Sequence, residues 1–515
     1  MIILNTVGVI GILMMLTTIF IYSKWLAPLR EQPLVDSMVT LLNQAINQFN
    51  RRILFIFIQF ILISNLIYVA IVLFFNNALS LQTLAAFDLS LLIFAVTTYV
   101  MLKFLPLSLT TILEGENQTY KSVLTKVIYA GFFQTNLFFG TFVMCIYVYL
   151  IIFDAYALLA LSAGILIMSF YYRSAGGTYK AAAENNPEIT SVDQRILTHP
   201  AELLVKTGSI IASVGGYYLD IFGSWIIAIA TFFVYFKFKL NMDSITDILV
   251  IPEIQWVLAV ICCTGISTLC AIPYVMIRKK VSNIFLEVGY LIILLSFFQL
   301  IIFTSQLNIL EKDYFIVAMM LALVSMLGIA FFTNFLTSSN HQPIQIICRQ
   351  AQYGSANVLI TSFFNGLIGN AVFSLVLLLV LFNIFNGLGI IGIIMIIIYA
   401  LSIAVVACSI KVFSVIANQV ISIIEHEKNP FDLPKANALK KVSYTLVAIG
   451  NSFSSAAGLL SSSAVLIPAI SLLDFDLSLL SIDVLFGLGL GIITISIFYG
   501  ASISGTYQVL ISSTK

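Results

Sequence analysis

The sequence predicts an all-α integral membrane protein, a bundle of about thirteen transmembrane helices in a single polytopic domain, residues 1–515. Hydrophobic residues make up 60% of the chain and charged residues only 9%, whereas a soluble domain carries about 25% charged residues. Apolar stretches of at least about 18 residues, each able to cross a bilayer as a helix, recur along the whole chain. The strands of a membrane barrel would instead show about ten alternating residues each.

The apolar stretches are separated by polar segments that are too short for a soluble domain. The first stretch follows no basic residue and has no small-residue cleavage site, so we expect a retained span and not a removed signal peptide. Several stretches exceed about 25 residues, so these helices should tilt or project beyond the lipid. The predicted spans are 7–22, 53–76, 82–105, 127–152, 155–172, 200–236, 253–277, 283–304, 314–336, 356–384, 387–424, 442–472 and 478–506.

The distribution of Lys and Arg predicts the topology, because cytoplasmic loops are enriched in both. With the N-terminus outside and the C-terminus in the cytoplasm, only Lys237, Lys239 and Lys312 of the 24 basic residues lie on the outer side. The polar loops at about 173–200 and 425–441 then share the cytoplasmic face, where we expect any functional site to form.

Charge and metal-binding residues exclude several functions. A net charge of +1 gives no indication of a nucleic-acid partner. The six Cys residues lie in apolar segments and the three His residues are scattered, so neither set has the spacing of a zinc site. We therefore predict no metal bound by these residues, and the lipid bilayer as the one certain partner.

Three sequence segments resemble the membrane-bound, ion-translocating inorganic pyrophosphatases. The first contains RSAGGTYKAAAENN and HPAELLVKTGSIIASVGGYYLDIFGSW, between Arg173 and Trp225. The second is SNHQPIQIICRQAQYGSANVLITSFFNGLIGN, and the third combines KVFSVIANQVISIIEHE with ANALKKVSYTLVAIGNSFSSAAG. Their order and spacing agree with the family from about residue 35 to 506. The resemblance implies a proton or sodium pump fold of inner and outer helices, and a homodimer. The family has sixteen helices, so its last motif has no counterpart among the thirteen predicted spans.

The resemblance also implies a site in which Asp carboxylates hold magnesium ions and these hold pyrophosphate, but most ligand positions differ here. Magnesium prefers oxygen ligands, and carboxylates offset its charge. A cation 4 Å from another is repelled by about 4 kcal/mol at an effective dielectric near 20, and roughly twice that beside a divalent ion. The substituted positions are Val205, Ser209, Ser213, Lys411, Asn418, Asn437 and Lys440 for Asp, Lys206 for Asn, and Asn451 for Lys.

We therefore predict that no catalytic residue, metal site or cofactor remains, with magnesium required only if hydrolysis is retained. Glu184 and Glu425 keep carboxylates at ligand-like positions, where they either bind one weak cation or are solvated. At the ion gate the resemblance places Arg173 and Asp220, while Gly223 stands at the position of a gate Glu. Asp220 is either an ion-path residue or an ion-pair partner of Arg173, and we favour the second.

Other features have two interpretations each. Lys206, Lys411 and Lys440 either converge as a metal-free anion site or extend separately towards water and headgroups. The Gly-rich SAGG turn at 174–177 either binds phosphate or permits a tight helix exit, and we favour the exit. The GLGIIG (387–392) and GLGLG (487–491) runs are expected to allow close helix packing inside spans.

Three functions follow from the resemblance. The first is a structural or partner-binding membrane subunit that has lost pyrophosphate hydrolysis. It would act as a homodimer or with another membrane protein, and we expect it in a bacterial cytoplasmic membrane. The second is an active ion-translocating pyrophosphatase, completed by another chain. The third is a channel or transporter for a small anion or ion, with Lys206 and Lys411 in the old pump path.

Overall fold

The computed structural model describes residues 2–23, 37–75, 81–113, 120–153, 155–184, 207–240, 245–277, 284–307, 312–338, 341–427 and 433–472. Within these ranges the chain is helical throughout, as predicted. The helices are α1 (Ile2–Ile21), α2 (Ser37–Phe75), α3 (Leu81–Leu113), α4 (Tyr120–Ile152), α5 (Ala155–Glu184), α6 (Thr207–Leu240), α7 (Ile245–Ile248), α8 (Pro252–Ile277), α9 (Ile284–Gln306), α10 (Lys312–Thr337), α11 (Gln342–Gln350), α12 (Ser355–Glu427) and α13 (Leu433–Leu472).

The long helices confirm an all-α membrane fold. Ten of the described helices are long and apolar enough to cross a membrane. The first twelve predicted spans coincide with described helices, two of them with the two segments of α12. The thirteenth predicted span, 478–506, and its GLGLG run lie outside the described residues.

A break divides α12 into a first segment (355–388) and a second segment (390–427). Gly389 has φ 65° and ψ −162°, a conformation that is nearly restricted to glycine. A Cβ atom on the neighbouring Gly387 would overlap the ring of Tyr314. The GLGIIG run therefore provides both a close helix contact, as expected, and the break between the two predicted spans.

Two predictions about the polar segment after span 5 were wrong. We expected a loop from 173 and a helix exit at the SAGG turn, but α5 continues to Glu184. The residues that follow the turn include Ala181, Ala182 and Ala183, and alanine has the highest helix propensity. A helix can continue beyond the lipid, because its backbone groups remain hydrogen-bonded within the helix. The polarity of the segment alone therefore did not indicate where α5 ends. Likewise, α12 reaches Glu427 and α13 begins at Leu433, which shortens the expected 425–441 loop.

The centre of the bundle is formed by α6 and the second segment of α12. In the most apolar 18-residue stretch of α6, 78% of the residues are buried. The corresponding shares are 39% in α1 and 33% in α13. Aromatic rings of α4 and α6 fill this centre: Phe142 stacks on Trp225 with centroids 5.3 Å apart, and Phe222 lies 4.8 Å from Phe142. The Trp225 indole N–H donates to the Ile398 carbonyl of α12, 3.0 Å away. This packing fixes α6 against α12, and both helices extend from it into the candidate site.

Candidate functional site

An ion pair joins α5, α6 and α13. Arg173 Nη2 donates to Asp220 Oδ2 at 2.6 Å and to Ser454 Oγ at 2.8 Å, while the Ser454 hydroxyl donates to Asp220 Oδ2 at 2.6 Å. The expected pairing of Asp220 with Arg173 is thus present. The Arg173 and Asp220 side chains are 42% and 26% exposed, so the pair lies at the edge of the packed interior.

Gly216 makes room for this ion pair. A Cβ atom there would lie 2.6 Å from Arg173 Cγ and 3.1 Å from the Arg173 backbone nitrogen. Gly216 ends a π-helical stretch of α6, Ile211–Gly216, and single π-helical turns are frequent at functional sites. Ser213 lies within this stretch and Ser209 just before it, both half-buried.

Lys411 is buried beside the ion pair, with only 5% of the residue exposed. Its Nζ donates to Asn451 Oδ1 at 2.7 Å and lies 3.4 Å from the centroid of the Tyr217 ring. The Tyr217 hydroxyl donates to the Gly450 carbonyl, and a Cβ atom on Gly450 would lie 2.6 Å from Lys411 Cβ. An amide oxygen and an aromatic face therefore replace a carboxylate as the partners of this ammonium.

The charges of this cluster do not cancel. Arg173 and Lys411 are two cations, Asp220 is one carboxylate, and all three interact electrostatically. With both cations protonated, the cluster carries a formal charge of +1.

A second contact between α12 and α13 lies nearer the predicted cytoplasmic end. The Ser443 hydroxyl is 2.5 Å from Asn418 Oδ1 and 3.4 Å from the Lys440 carbonyl oxygen. Ser443 is 1% exposed. Asn418 therefore takes part in a neutral hydrogen bond between helices.

The sequence profile of the inorganic H+ pyrophosphatases matches residues 12–509. The chain belongs to this family. Its membership, inferred above from three motif segments, is thereby confirmed over nearly the whole length. No curated protein matches the chain.

The structure places only some of the pyrophosphatase-site positions close together. The described positions of the predicted pyrophosphatase site lie on α5, α6, α12 and α13. These helices pack together. Lys411 meets Asn451, Arg173 meets Asp220, and Asn418 meets Ser443. Glu184, Glu425 and Asn437 lie on described helices, although their side chains are not described, and Val205 and Lys206 lie outside the described residues.

Gly223, at the position of a gate Glu in the pyrophosphatase family, is a packing residue. A Cβ atom there would lie 2.7 Å from Leu166 Cδ2 and 3.2 Å from Ile165 Cγ2 of α5. Lys440 reaches no described contact with Lys411, so the structure does not show the proposed convergence of the lysines as one anion site.

Ser454, Tyr217, Gly450 and Ser443 were missed in the sequence. All four lie within the family-like segments. The sequence does not single them out, because they bear no formal charge and their polar contacts depend on how α6, α12 and α13 pack against one another. An unusual hydroxyl content in the 443–455 stretch of an apolar helix was the available signal.

The described donor set does not fit the magnesium ions of a pyrophosphatase. Ser209, Ser213, Asn418 and Asn451 offer neutral oxygens, and Lys411 offers a cation. Among the residues whose side chains are described, no three His, Cys, Asp or Glu come together in a possible metal site. Magnesium needs several hard oxygen ligands, and carboxylates offset its charge, so we derive no step that involves this metal.

Proposed function

We propose that this member of the inorganic H+ pyrophosphatase family has lost pyrophosphate hydrolysis and serves as a structural or partner-binding membrane subunit. The Lys411–Asn451 contact carries this proposal. The family resemblance implies Asp at position 411 and Lys at position 451. Here the first position is a buried cation, Lys411, and the second is a neutral amide, Asn451.

Electrostatics supports the loss of hydrolysis. A fixed ammonium a few ångströms from a magnesium ion repels it by several kcal/mol, about 8 kcal/mol at 4 Å with an effective dielectric near 20. Asn418 adds no charge to offset this, because its amide is neutral, and the amide oxygen already accepts a hydrogen bond from Ser443. Catalysis of phosphoryl transfer depends mainly on positioning the phosphate and on stabilising its negative charge with metal ions. The described side chains do not form a magnesium site that could do either.

The helical scaffold supports a structural role. The centre of α6 and α12 has dense aromatic packing and close glycine contacts, such as Gly131 against Phe413. The substituted ligand positions, by contrast, have neutral or basic residues. We propose a homodimer, or a complex with another membrane protein, in a bacterial cytoplasmic membrane. The homodimer is proposed by analogy with the pump fold.

Pyrophosphate hydrolysis by the purified protein, with and without magnesium, tests the proposal. A homologous family member with the full Asp set, prepared in the same detergent, serves as positive control. We expect no magnesium-dependent turnover from protein that shows a cooperative thermal transition. Magnesium-dependent turnover abolished by Arg173→Ala or by chelation would contradict the proposal and establish a pyrophosphatase activity.

A transporter for a small anion is the second candidate, because the Arg173, Lys411 and Asp220 cluster carries a formal excess of positive charge. Charged groups inside membrane proteins frequently mark ion pathways. In proteoliposomes, anion-dependent flux that is lost in Lys411→Met but kept in Lys312→Met would favour transport. No flux in either variant or in the wild type would favour the structural subunit.

A further inference from the structure

A partly open cleft with a volume of about 420 Å3 lies between α10, α11, α13 and the first segment of α12. Its walls combine apolar side chains, such as Phe332, Leu336 and Phe373, with hydroxyl and amide groups, among them Thr333, Ser452 and Asn451. The cleft is large enough for the polar end of an amphiphile and part of one acyl chain, and lies outside the ion-pair cluster described above.

Asn451 connects this cleft to Lys411. Its Oδ1 accepts the Lys411 ammonium hydrogen bond, which leaves its amide nitrogen as a donor that meets no acceptor among the described residues. Asn451 also lines the cleft. An acceptor group in the cleft would therefore receive a hydrogen bond from an amide that is polarised by a buried cation.

The cleft is positively biased. None of the residues that line it is Asp or Glu, Lys411 lies directly behind Asn451, and Arg349 is exposed in the last turn of α11. The predicted topology puts the ends of α10 and α11 at the cytoplasmic surface, where headgroups lie. Outside the cleft, the first segment of α12 exposes Ile360, Phe364 and Phe382, as a helix that faces lipid does.

We propose that this cleft binds one anionic phospholipid from the cytoplasmic leaflet, with its phosphate near Asn451 and Ser452 and one acyl chain along Phe373. Lys411 and Arg349 attract the phosphate, and the apolar wall of the cleft continues into the lipid-facing surface of α12. Bilayer lipid is the source because the exposed face of the first segment of α12, beside the cleft, is apolar. The inference does not require the loss of hydrolysis proposed above.

Gly366 provides a direct test. It lines the cleft, and a Cβ atom there would have open space around it for at least 4 Å. A leucine at this position would extend from an open Cβ position into the cleft. Gly328, on α10, is also open at its Cβ and does not line the cleft, so Gly328→Leu is the matched control.

Thermal unfolding in mixed micelles with phosphatidylglycerol or phosphatidylcholine would measure the preference. We expect phosphatidylglycerol to raise the Tm more than phosphatidylcholine in the wild type and in Gly328→Leu. In Gly366→Leu and in Lys411→Met the apparent affinity for phosphatidylglycerol should fall about tenfold. Inorganic phosphate should give no shift in any of them.

Two results would overturn the proposal: equal effects of the two lipids on the wild type, or a preference unchanged in Gly366→Leu. A shift with inorganic phosphate alone would reject the lipid and indicate a free anion. If a variant lacks a cooperative transition, native mass spectrometry of the wild type with either lipid decides, because selective retention of phosphatidylglycerol supports the site and equal retention refutes it.

Discussion

Lys411 and Asn451 share one hydrogen bond of 2.7 Å across the contact between α12 and α13. The family resemblance implies an Asp at the first position and a Lys at the second. In this chain the cation therefore lies on α12 and not on α13, and the acidic partner is missing. The Tyr217 ring takes the place of a countercharge, 3.4 Å from Lys411 Nζ. A buried cation is thereby retained, and its described contacts are with an amide oxygen and an aromatic ring, not with a carboxylate.

The Lys411–Asn451 bond should dominate the local stability. Asn451→Ala leaves a buried ammonium without its oxygen acceptor, which costs about 1.5–3 kcal/mol for a hydrogen bond to a charged group. Lys411→Met removes the charge itself and should cost less. In thermal unfolding, the double variant should be more stable than the sum of the two single changes predicts. Additive effects would show that the bond contributes nothing.

The Arg173–Asp220 pair should contribute weakly, because both side chains are partly exposed. Exposed ion pairs contribute about 0–1 kcal/mol, so a double-mutant cycle of Arg173→Met and Asp220→Asn should give a coupling of that size. The coupling should shrink at high salt. As a control, Arg173→Met with Asp88→Asn should be additive, since Asp88 bonds Asn65 of α2 instead. A larger, salt-independent coupling would contradict this assessment.

The bundle architecture was predictable because hydrophobicity and span length respond directly to the bilayer. Apolar run lengths predicted the positions of the long described helices, whereas the break at Gly389, inside the predicted span 387–424, was not predicted. The end of α5 at Glu184 was not predictable in this way, since helix propensity and polarity point in opposite directions after Arg173. At the site, Arg173, Asp220 and Lys411 were recognisable by charge. Their neutral partners Ser454 and Tyr217 were not, since a hydrogen bond between distant helices leaves no local pattern.

Gly450 should tolerate no side chain. A Cβ atom there would press on Lys411 Cβ and Cδ at 2.6 and 2.7 Å, so Gly450→Ala should destabilise by about 1–3 kcal/mol through overpacking. Gly458→Ala, on the same helix with open space at its Cβ, should be neutral or stabilising by up to about 1 kcal/mol. Thermal unfolding of the two variants in one detergent measures the difference, and similar values would contradict the close contact.

Gly389 should be equally sensitive for a different reason. Space is open around its Cβ position, but its φ of 65° and ψ of −162° disfavour any L side chain, so Gly389→Ala should cost about 1–3 kcal/mol of backbone strain. Gly328→Ala, which has the same open space in a regular helix, serves as the control. An equal Tm for both variants would place the break between the two segments of α12 elsewhere.

Cys348 offers a test of the predicted topology without an engineered cysteine. It is exposed on α11, which the distribution of Lys and Arg places on the cytoplasmic side. A membrane-impermeant maleimide should therefore label it only after cells are permeabilised. Cys348→Ser should remove this label, and any label that remains would report Cys270, which is also exposed. The buried thiols Cys145 and Cys408 should stay unlabelled in the folded protein. Labelling of Cys348 in intact cells would reverse the orientation, and would put the proposed phospholipid in the outer leaflet.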